Sequence, residues 1–367
     1  MRPDRLRVGV VGVGTWANMA HLPAFAAKEN CVLAAVADQD AQRAETACRR
    51  FGIPASYRTL DELLAKEDVD LVDVCTGTAG HYALSMQAIE AGKHVLCEKP
   101  LGRDLSEAHG LAAAAKSRAL LTAVGFTFRH SPAVRRFKAL IDDGYVGKIY
   151  HVQGFEQNSL YHDPTQPRPA GWWGQGDAGA LGGYASHLVD LVRWTVGDFE
   201  EVVGDMQNFI PERAVYGGGM GPSECDDSTT FLARLSGGVQ GVFQASWLAA
   251  GRPPGVEIRV LGDRGGLKLH LAEHPDGDET LLGADIAEGI YRPAEGLEPA
   301  RWPMEEWPQF YFSRLVSSFA DAVLAGGTVE GSFEDGWRCQ QVLDAVALAS
   351  RERRWVRTEE VSPVPAH

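Results

Sequence analysis

Apolar positions in the first third of the chain fall into short continuous runs separated by segments of helical spacing. Leu6 to Val11, Val32 to Ala37, Leu71 to Cys75, His94 to Cys97 and Leu121 to Val124 each have the length of a buried strand. Between them, Ala41 to Phe51 is helical in composition and is stopped by Gly52-Ile53-Pro54, before a short extended piece at Ala55 to Tyr57. Leu60, Leu63 and Leu64 recur at helical spacing, Tyr82 to Ala91 reads as a helix ended by Gly92, and Ser106 to Ser117 as another. Regular alternation of strand and helix predicts an α/β unit, a doubly wound parallel sheet. Ligands of such sheets bind at the carboxyl ends of the strands, so Gly12 to Trp16, Thr76 to His81 and Glu98 to Pro100 are expected to line one crevice.

Past about residue 128 the alternation stops. Strand patterns rich in Val, Phe and Thr follow at Lys148 to Gln157, Glu201 to Phe209, Ser228 to Leu235, Val239 to Trp247, Val256 to Leu261 and Leu267 to His270. Helical patterns fall at Pro132 to Asp142, His187 to Val196, Tyr311 to Leu324 and Phe333 to Ala349. The expectation is a second, α+β domain on a mostly antiparallel open sheet. Expected divisions are therefore 1–128, 129–361 and a frayed tail at 362–367. A chain of 367 residues is long enough for two cores.

The first run ends in Gly12-Val13-Gly14-Thr15-Trp16-Ala17, and Asp38 closes the second run about 20 positions on. Gly12 permits a tight turn, Gly14 permits backbone approach to a pyrophosphate, and Thr15 and Trp16 lead into the helix whose free N–H groups would receive it. Asp38 can accept hydrogen bonds from an adenosine ribose, so strand, turn, helix and acid together predict a dinucleotide site. Its carboxylate repels a 2′-phosphate and Gln39 adds no cation, which favours NAD over NADP, although Arg43, Arg49 and Arg50 stand nearby.

Net charge is −14, which argues against nucleic acid or an anionic membrane as partner. Six scattered cysteines with no Cys-x-x-Cys pair indicate neither a zinc ribbon nor a disulfide framework, and no metal site is expected. No apolar run approaches the roughly 20 residues needed to span a bilayer. The basic start runs into the glycine turn rather than a cleavage site, so a cytoplasmic protein is expected. The histidine-rich metalloprotease motif, the phosphate-loop lysine motif and the nucleophile elbow are all absent from the sequence.

Glu98-Lys99-Pro100, preceded by Ala91-Gly92-Lys93-His94-Val95-Leu96-Cys97, resembles the signature of the Gfo/Idh/MocA oxidoreductases, the glucose–fructose oxidoreductase and inositol dehydrogenase family. The resemblance extends through the Rossmann-type turn with Asp38, Thr76 to His81, Phe126 to Pro132, Gly144 to Ile149 and His187-Leu188-Val189-Asp190. It implies a nicotinamide dehydrogenase acting on a sugar, cyclitol or related hydroxy compound, with the open sheet face used for a homodimer or homotetramer. Phe231, Phe243 and Trp247 are expected to supply apolar material to that face.

The family's catalytic lysine corresponds to Lys99. A lysine near the nicotinamide charge and partly desolvated can exchange the proton of the reacting hydroxyl. Alone, Glu98 and Lys99 would equally read as a solvated pair in a turn, and Pro100 is a candidate for a cis bond. The resemblance also places His187 beside the substrate. Many relatives carry an acid four residues earlier, where this chain has Gly183; Tyr184 offers a phenol nearby or a packing ring, and Asp190 can orient His187 or bond within the core.

Thr76, Gly77, His81 and Glu98 complete the cofactor candidates, with capping or packing the alternative for His81. Arg129 reaches a polar substrate or joins the domains. Tyr161, Arg168, Trp172 and Trp173 form a candidate sugar loop, by ring stacking and hydrogen bonding, or else core and interface. Two other readings stay open: a redox-neutral enzyme that retains NAD through transient oxidation, and a dinucleotide-binding sensor without catalysis.

Overall fold

The computed structural model describes residues 5–167, 179–215, 218–250, 255–272, 279–294 and 307–363. Arg168, Trp172 and Trp173 lie outside them. Cα packing divides the chain into two compact units, Met1–His130 with Glu306–Arg338 and Pro363–His367, and Ser131–Glu305 with Cys339–Ser362.

In the first unit, β1 (Leu6–Val11), β2 (Cys31–Ala37), β3 (Ala55–Tyr57), β4 (Leu71–Val74), β5 (His94–Cys97) and β6 (Thr122–Val124) form one sheet. Its order is β3-β2-β1-β4-β5-β6 and every pair is parallel, with Val8 beside Leu33 on one side and Leu71 on the other. Residues of both strand faces are buried, as a sheet between helical layers requires. The layers include α1 (Leu22–Ala27), α2 (Ala41–Phe51), α3 (Leu60–Lys66), α4 (Thr78–Glu90) and α5 (Leu105–Ser117). Local chemistry sets their starts: Asp40 accepts from the N–H groups of Gln42 and Arg43, Thr59 from Glu62 and Asp104 from Glu107.

In the second unit, α6 (Pro132–Asp142) starts at a Ser131 cap and carries Pro at its first position. It is followed by β7 (Ile149–Gln157), α7 (Ser186–Thr195), β8 (Phe199–Gln207), β9 (Glu212–Ala214), β10 (Met220–Pro222), β11 (Ser228–Leu235) and β12 (Val239–Ser246). Next come β13 (Gly255–Gly262), β14 (Gly265–Ala272), β15 (Thr280–Asp285) and β16 (Arg292–Pro293). The chain then forms α8 (Trp307–Ala325), α9 (Phe333–Glu352) and β17 (Val356–Arg357). Chain order alone groups α8 with the second half. Packing groups it with the first, because Phe312, Leu315, Val316, Phe319 and Ala320 complete the core that holds Val8, Phe25 and Leu71.

Nine strands make the large sheet of the second unit, in the order β16-β15-β14-β13-β7-β12-β11-β8-β17. Only the β7–β12 pair is parallel, so the sheet is mostly antiparallel. Its inner face is dense. A Cβ at Gly154 would stand 2.7 Å from the Phe243 ring and 3.5 Å from Leu188 of α7, and one at Gly204 3.1 Å from Val346 of α9.

The apolar residues expected on the open face require correction. Phe231, Phe243 and Trp247 are only 1%, 0% and 5% exposed, in the interior. Two-residue alternation turns Thr230, Leu232, Arg234, Gln240 and Val242 outward instead. A concavity on this outer face is lined by Phe155, Gln157, Glu257, Lys268, His270 and Thr280, none of them a candidate site residue. Among the described residues, no helix is long and apolar enough to cross a membrane. No group of three or more potential metal ligands occurs among them either.

Candidate active site

Parallel pairing of β4 with β1 and β5 puts the loops after these three strands at one edge of the first sheet. Gly12 leaves β1 with φ of +86°, and a Cβ there would stand 2.4 Å from the Cys75 carbonyl oxygen, so only glycine fits. Among the described residues, a Cβ at Gly14 or at Gly77 would meet no atom within 4 Å beyond its chain neighbours. Asp38, from the end of β2, clamps the turn: one carboxylate oxygen accepts from Val13 N at 2.9 Å and the other from Asp40 N at 2.8 Å. Asn18 donates to the carbonyls of Val13 and Gly14 at 2.8 and 3.0 Å. Thr15 is exposed and Trp16 half-buried.

Behind this turn sits a buried charge cluster that no sequence motif indicated. His21 Nδ1 lies 2.8 Å from Asp73 Oδ2, and Nε2 lies 3.1 Å from Glu98 Oε1. Trp16 Nε1 donates to the same Glu98 oxygen at 3.0 Å, and Lys99 N donates to the other at 3.1 Å. Burial opposes charge on His21, but the charge and bond of Asp73 outweigh it and hold the imidazole pKa well above its ordinary value. Burial would also raise Glu98. His21, Lys99 and the Trp16 indole reverse this and hold that carboxyl at about 2. Burial raises Asp73, partly offset by His21. An acid inside the apolar run Leu71-Val72-Asp73-Val74 was the one available signal, since a buried carboxylate demands a partner.

Lys99 is half-buried and precedes Pro100 through a cis peptide bond. His81 is buried, with Nδ1 2.7 Å from the Pro100 carbonyl and Nε2 3.1 Å from the Thr76 carbonyl. Burial pushes its pKa down, while both ring nitrogens face carbonyl acceptors. His81 therefore stands between the carbonyls of Thr76 and Pro100. Arg129, also in this unit, is buried, pairs with Asp335 at 3.2 Å and stands 5.8 Å from the Phe126 ring centroid.

In the second unit a short π-helical turn, Leu181–Ala185, leads into α7 and carries Gly183 and Tyr184. Asp226 holds its start: one oxygen accepts from Leu181 N at 2.9 Å and from Thr229 Oγ1 at 2.6 Å. Burial pushes the Asp226 carboxyl up to about 6 against these bonds. Asn158 Nδ2 donates to the Tyr184 hydroxyl at 2.5 Å. The rings of Tyr161 and Tyr184 meet Trp247 edge-on, with centroids 5.0 and 6.0 Å away. His187, in the first turn of α7, and Asp190 are both buried. Among the described residues, a Cβ at Gly183 would meet no atom within 4 Å beyond its own turn.

Arg213 and Asp227 anchor the strand ends beside these rings. Arg213 donates to Asp227 Oδ1 and to the Tyr161 carbonyl, both at 2.6 Å, and Trp247 Nε1 donates to Asp227 at 2.8 Å. Sequence reading had no access to Asn158, Arg213, Asp226 or Asp227, because the partners Tyr184, Tyr161, Leu181 and Trp247 are distant along the chain.

Residues 6–126 match the family described as "Oxidoreductase family, NAD-binding Rossmann fold", and residues 134–268 match the GFO/IDH/MocA C-terminal domain. An oxidoreductase domain protein from Kribbella flavida superimposes with a TM-score of 0.87 at 31% identity, over 97% of this chain and all of that one. Levoglucosan dehydrogenase from Pseudarthrobacter phenanthrenivorans is 28% identical over 98% of this chain and its own full length. A levoglucosan dehydrogenase structure in complex with NADH and levoglucosan gives a TM-score of 0.86 at 27% identity, over 96% of this chain and 99% of that one. Sequence profile and structural likeness agree with the glycine turn, the Asp38 clamp and the Glu98-Lys99-Pro100 turn: the chain belongs to the Gfo/Idh/MocA family of NAD-binding oxidoreductases.

Proposed function

We propose that this oxidoreductase is an NAD-dependent dehydrogenase of a sugar, cyclitol or related polyol, with Lys99 as general acid/base. The observation that carries the reading is the glycine turn clamped by Asp38 at the same sheet edge as Lys99. Gly12 forces the turn, and the open space beside Gly14 and Gly77 leaves their backbones approachable, so the residues present fit a dinucleotide. The main chain of Gly12 to Trp16 would hold the pyrophosphate, Asp38 the adenosine ribose, and Thr76 and Gly77 the next segment. Asp38 favours NAD over NADP by charge.

The bound nicotinamide supplies the hydride acceptor or donor. Lys99 takes the hydroxyl proton during oxidation and returns it during reduction. His187 hydrogen-bonds the reacting hydroxyl, and Tyr161 and Tyr184 offer rings to the apolar face of the sugar. With Gly183 in place of an acid, Tyr184 or water completes the proton path. Assembly is as a homodimer or homotetramer through the outer sheet face around Leu232 and Val242, in the cytoplasm. Levoglucosan and NADH in the related structure support the substrate and cofactor classes.

The test follows NADH formation by purified protein with levoglucosan, L-sorbose, D-apiose and myo-inositol, offering NAD and NADP separately. Lys99→Ala is expected to lower turnover about a hundredfold or more while NADH binding persists. Wild-type turnover in that variant refutes the role of Lys99. Substrate conversion without net NADH points to the redox-neutral reading, and NADH binding without conversion of any polyol points to the sensor.

A further inference from the structure

We infer that His21 is a positioning residue: it fixes the Glu98 carboxylate where that one group holds both the Trp16 indole of the nucleotide turn and the main chain of Lys99. The inference rests on the reading of Lys99 as the proton-transferring group. Three contacts of the Glu98 carboxylate define it. Glu98 Oε1 receives Trp16 Nε1 at 3.0 Å and faces His21 Nε2 at 3.1 Å, while Oε2 receives Lys99 N at 3.1 Å. His21 is itself oriented by Asp73, whose two oxygens lie 2.8 and 3.1 Å from Nδ1, and by the Phe312 ring with its centroid 3.8 Å away.

The far side is closed as well. A Cβ at Gly125 would lie 2.8 to 3.0 Å from three atoms of the Glu98 carboxylate, so glycine at 125 leaves room for the group and little else. Buried charge is a poor way to stabilise a fold, because apolar side chains of similar volume commonly do as well. What such a cluster provides is fixed geometry. Lys99 follows Glu98 in the chain, so rotation of the carboxylate breaks the hydrogen bond that Lys99 N donates to it and loosens the main chain there. Misplacement of a proton-transfer group by about 1 Å costs roughly a hundredfold in rate. Through Trp16, the same carboxylate links the seat of the dinucleotide to the lysine.

The experiment uses full-length His21→Gln, Trp16→Phe and Lys99→Ala proteins, with the polyol that gives the largest NADH signal. His21→Gln is expected to lower kcat tenfold or more, with the NADH dissociation constant by fluorescence titration and the polyol KM within threefold of wild type. The solvent deuterium isotope effect on kcat should rise, because proton transfer by a displaced amine becomes the slow step. A second readout needs no turnover. In cofactor-free protein carrying 13C-methylated lysines, the resonance missing from Lys99→Ala should move toward the exposed-lysine position in His21→Gln. Trp16→Phe should show the same signs at smaller size, and it decides the matter if His21→Gln does not fold. An unchanged kcat, a loss matched by equally weakened NADH binding, or an unmoved isotope effect and resonance overturns the positioning role. Full activity in Lys99→Ala instead defeats the underlying reading.

Discussion

Arg213→Met tests whether the second unit depends on its buried ion pair. Arg213 and Asp227 are 1% and 0% exposed in their side chains, so neither charge is screened by water. Removing one partner of a buried pair costs about 3–5 kcal/mol, mainly by stranding the other charge. Asp227 keeps Trp247 Nε1 and Ile210 N, each at 2.8 Å, which places its share near the lower end, at about 3 kcal/mol. Loss of the bond to the Tyr161 carbonyl adds about 1 kcal/mol. A total of about 4 kcal/mol lowers the melting temperature of a unit this size by roughly 10 °C. Differential scanning calorimetry reads it directly. Arg213→Met combined with Asp227→Asn removes the stranded charge and should recover about half of the loss. The polyol KM should rise in the single variant, since Tyr161 loses an anchor. Melting within 2 °C of wild type, or a double variant no more stable than the single, would refute the argument.

Gly12→Ala meets both a left-handed backbone and the Cys75 carbonyl 2.4 Å away, so it should weaken NADH binding at least tenfold by fluorescence titration. Asp38→Ala frees Val13 N and Asp40 N and removes the negative charge, so NADH affinity should fall about tenfold while NADPH affinity falls less, read by parallel titrations. Asp226 holds its proton more tightly in the fold than in the unfolded chain, where 3.8 is the ordinary value. Its stabilisation is therefore full below about pH 4 and is lost as pH rises through about 6, some 3 kcal/mol in all, and Asp226→Asn should flatten urea midpoints across that window. Glu98 has the opposite sign: its contribution is present above about pH 4.5 and disappears as pH falls toward 2, so Glu98→Gln should reduce acid sensitivity in the same assay.

Local rules made much of the scaffold legible. The run Ser228 to Leu235 and the segment Pro132 to Asp142 are a strand and a helix within those same bounds, because alternation and a Ser-Pro start act over a few neighbouring residues. The glycine turn was legible for the same reason: a φ of +86° is a demand made by one position on one residue type. Asp38 was readable as an acid closing the second strand, but its clamp on Val13 N was not, since that bond depends on β2 lying beside β1.

Alternation in Ser228 to Trp247 gave two faces without saying which one is covered, and the helices over the inner face decided that Phe231 and Phe243 are core. Chain order likewise separated α8 from the core it completes. Sequence by itself determined the alternating sheet, the glycine turn after β1, and the lysine at the end of β5. Tertiary structure alone decided that His21 stands between Asp73 and Glu98, and that Arg213 faces Asp227. Periodicity encodes which side of an element avoids water; the partner that compensates a buried charge is set by where distant strands meet.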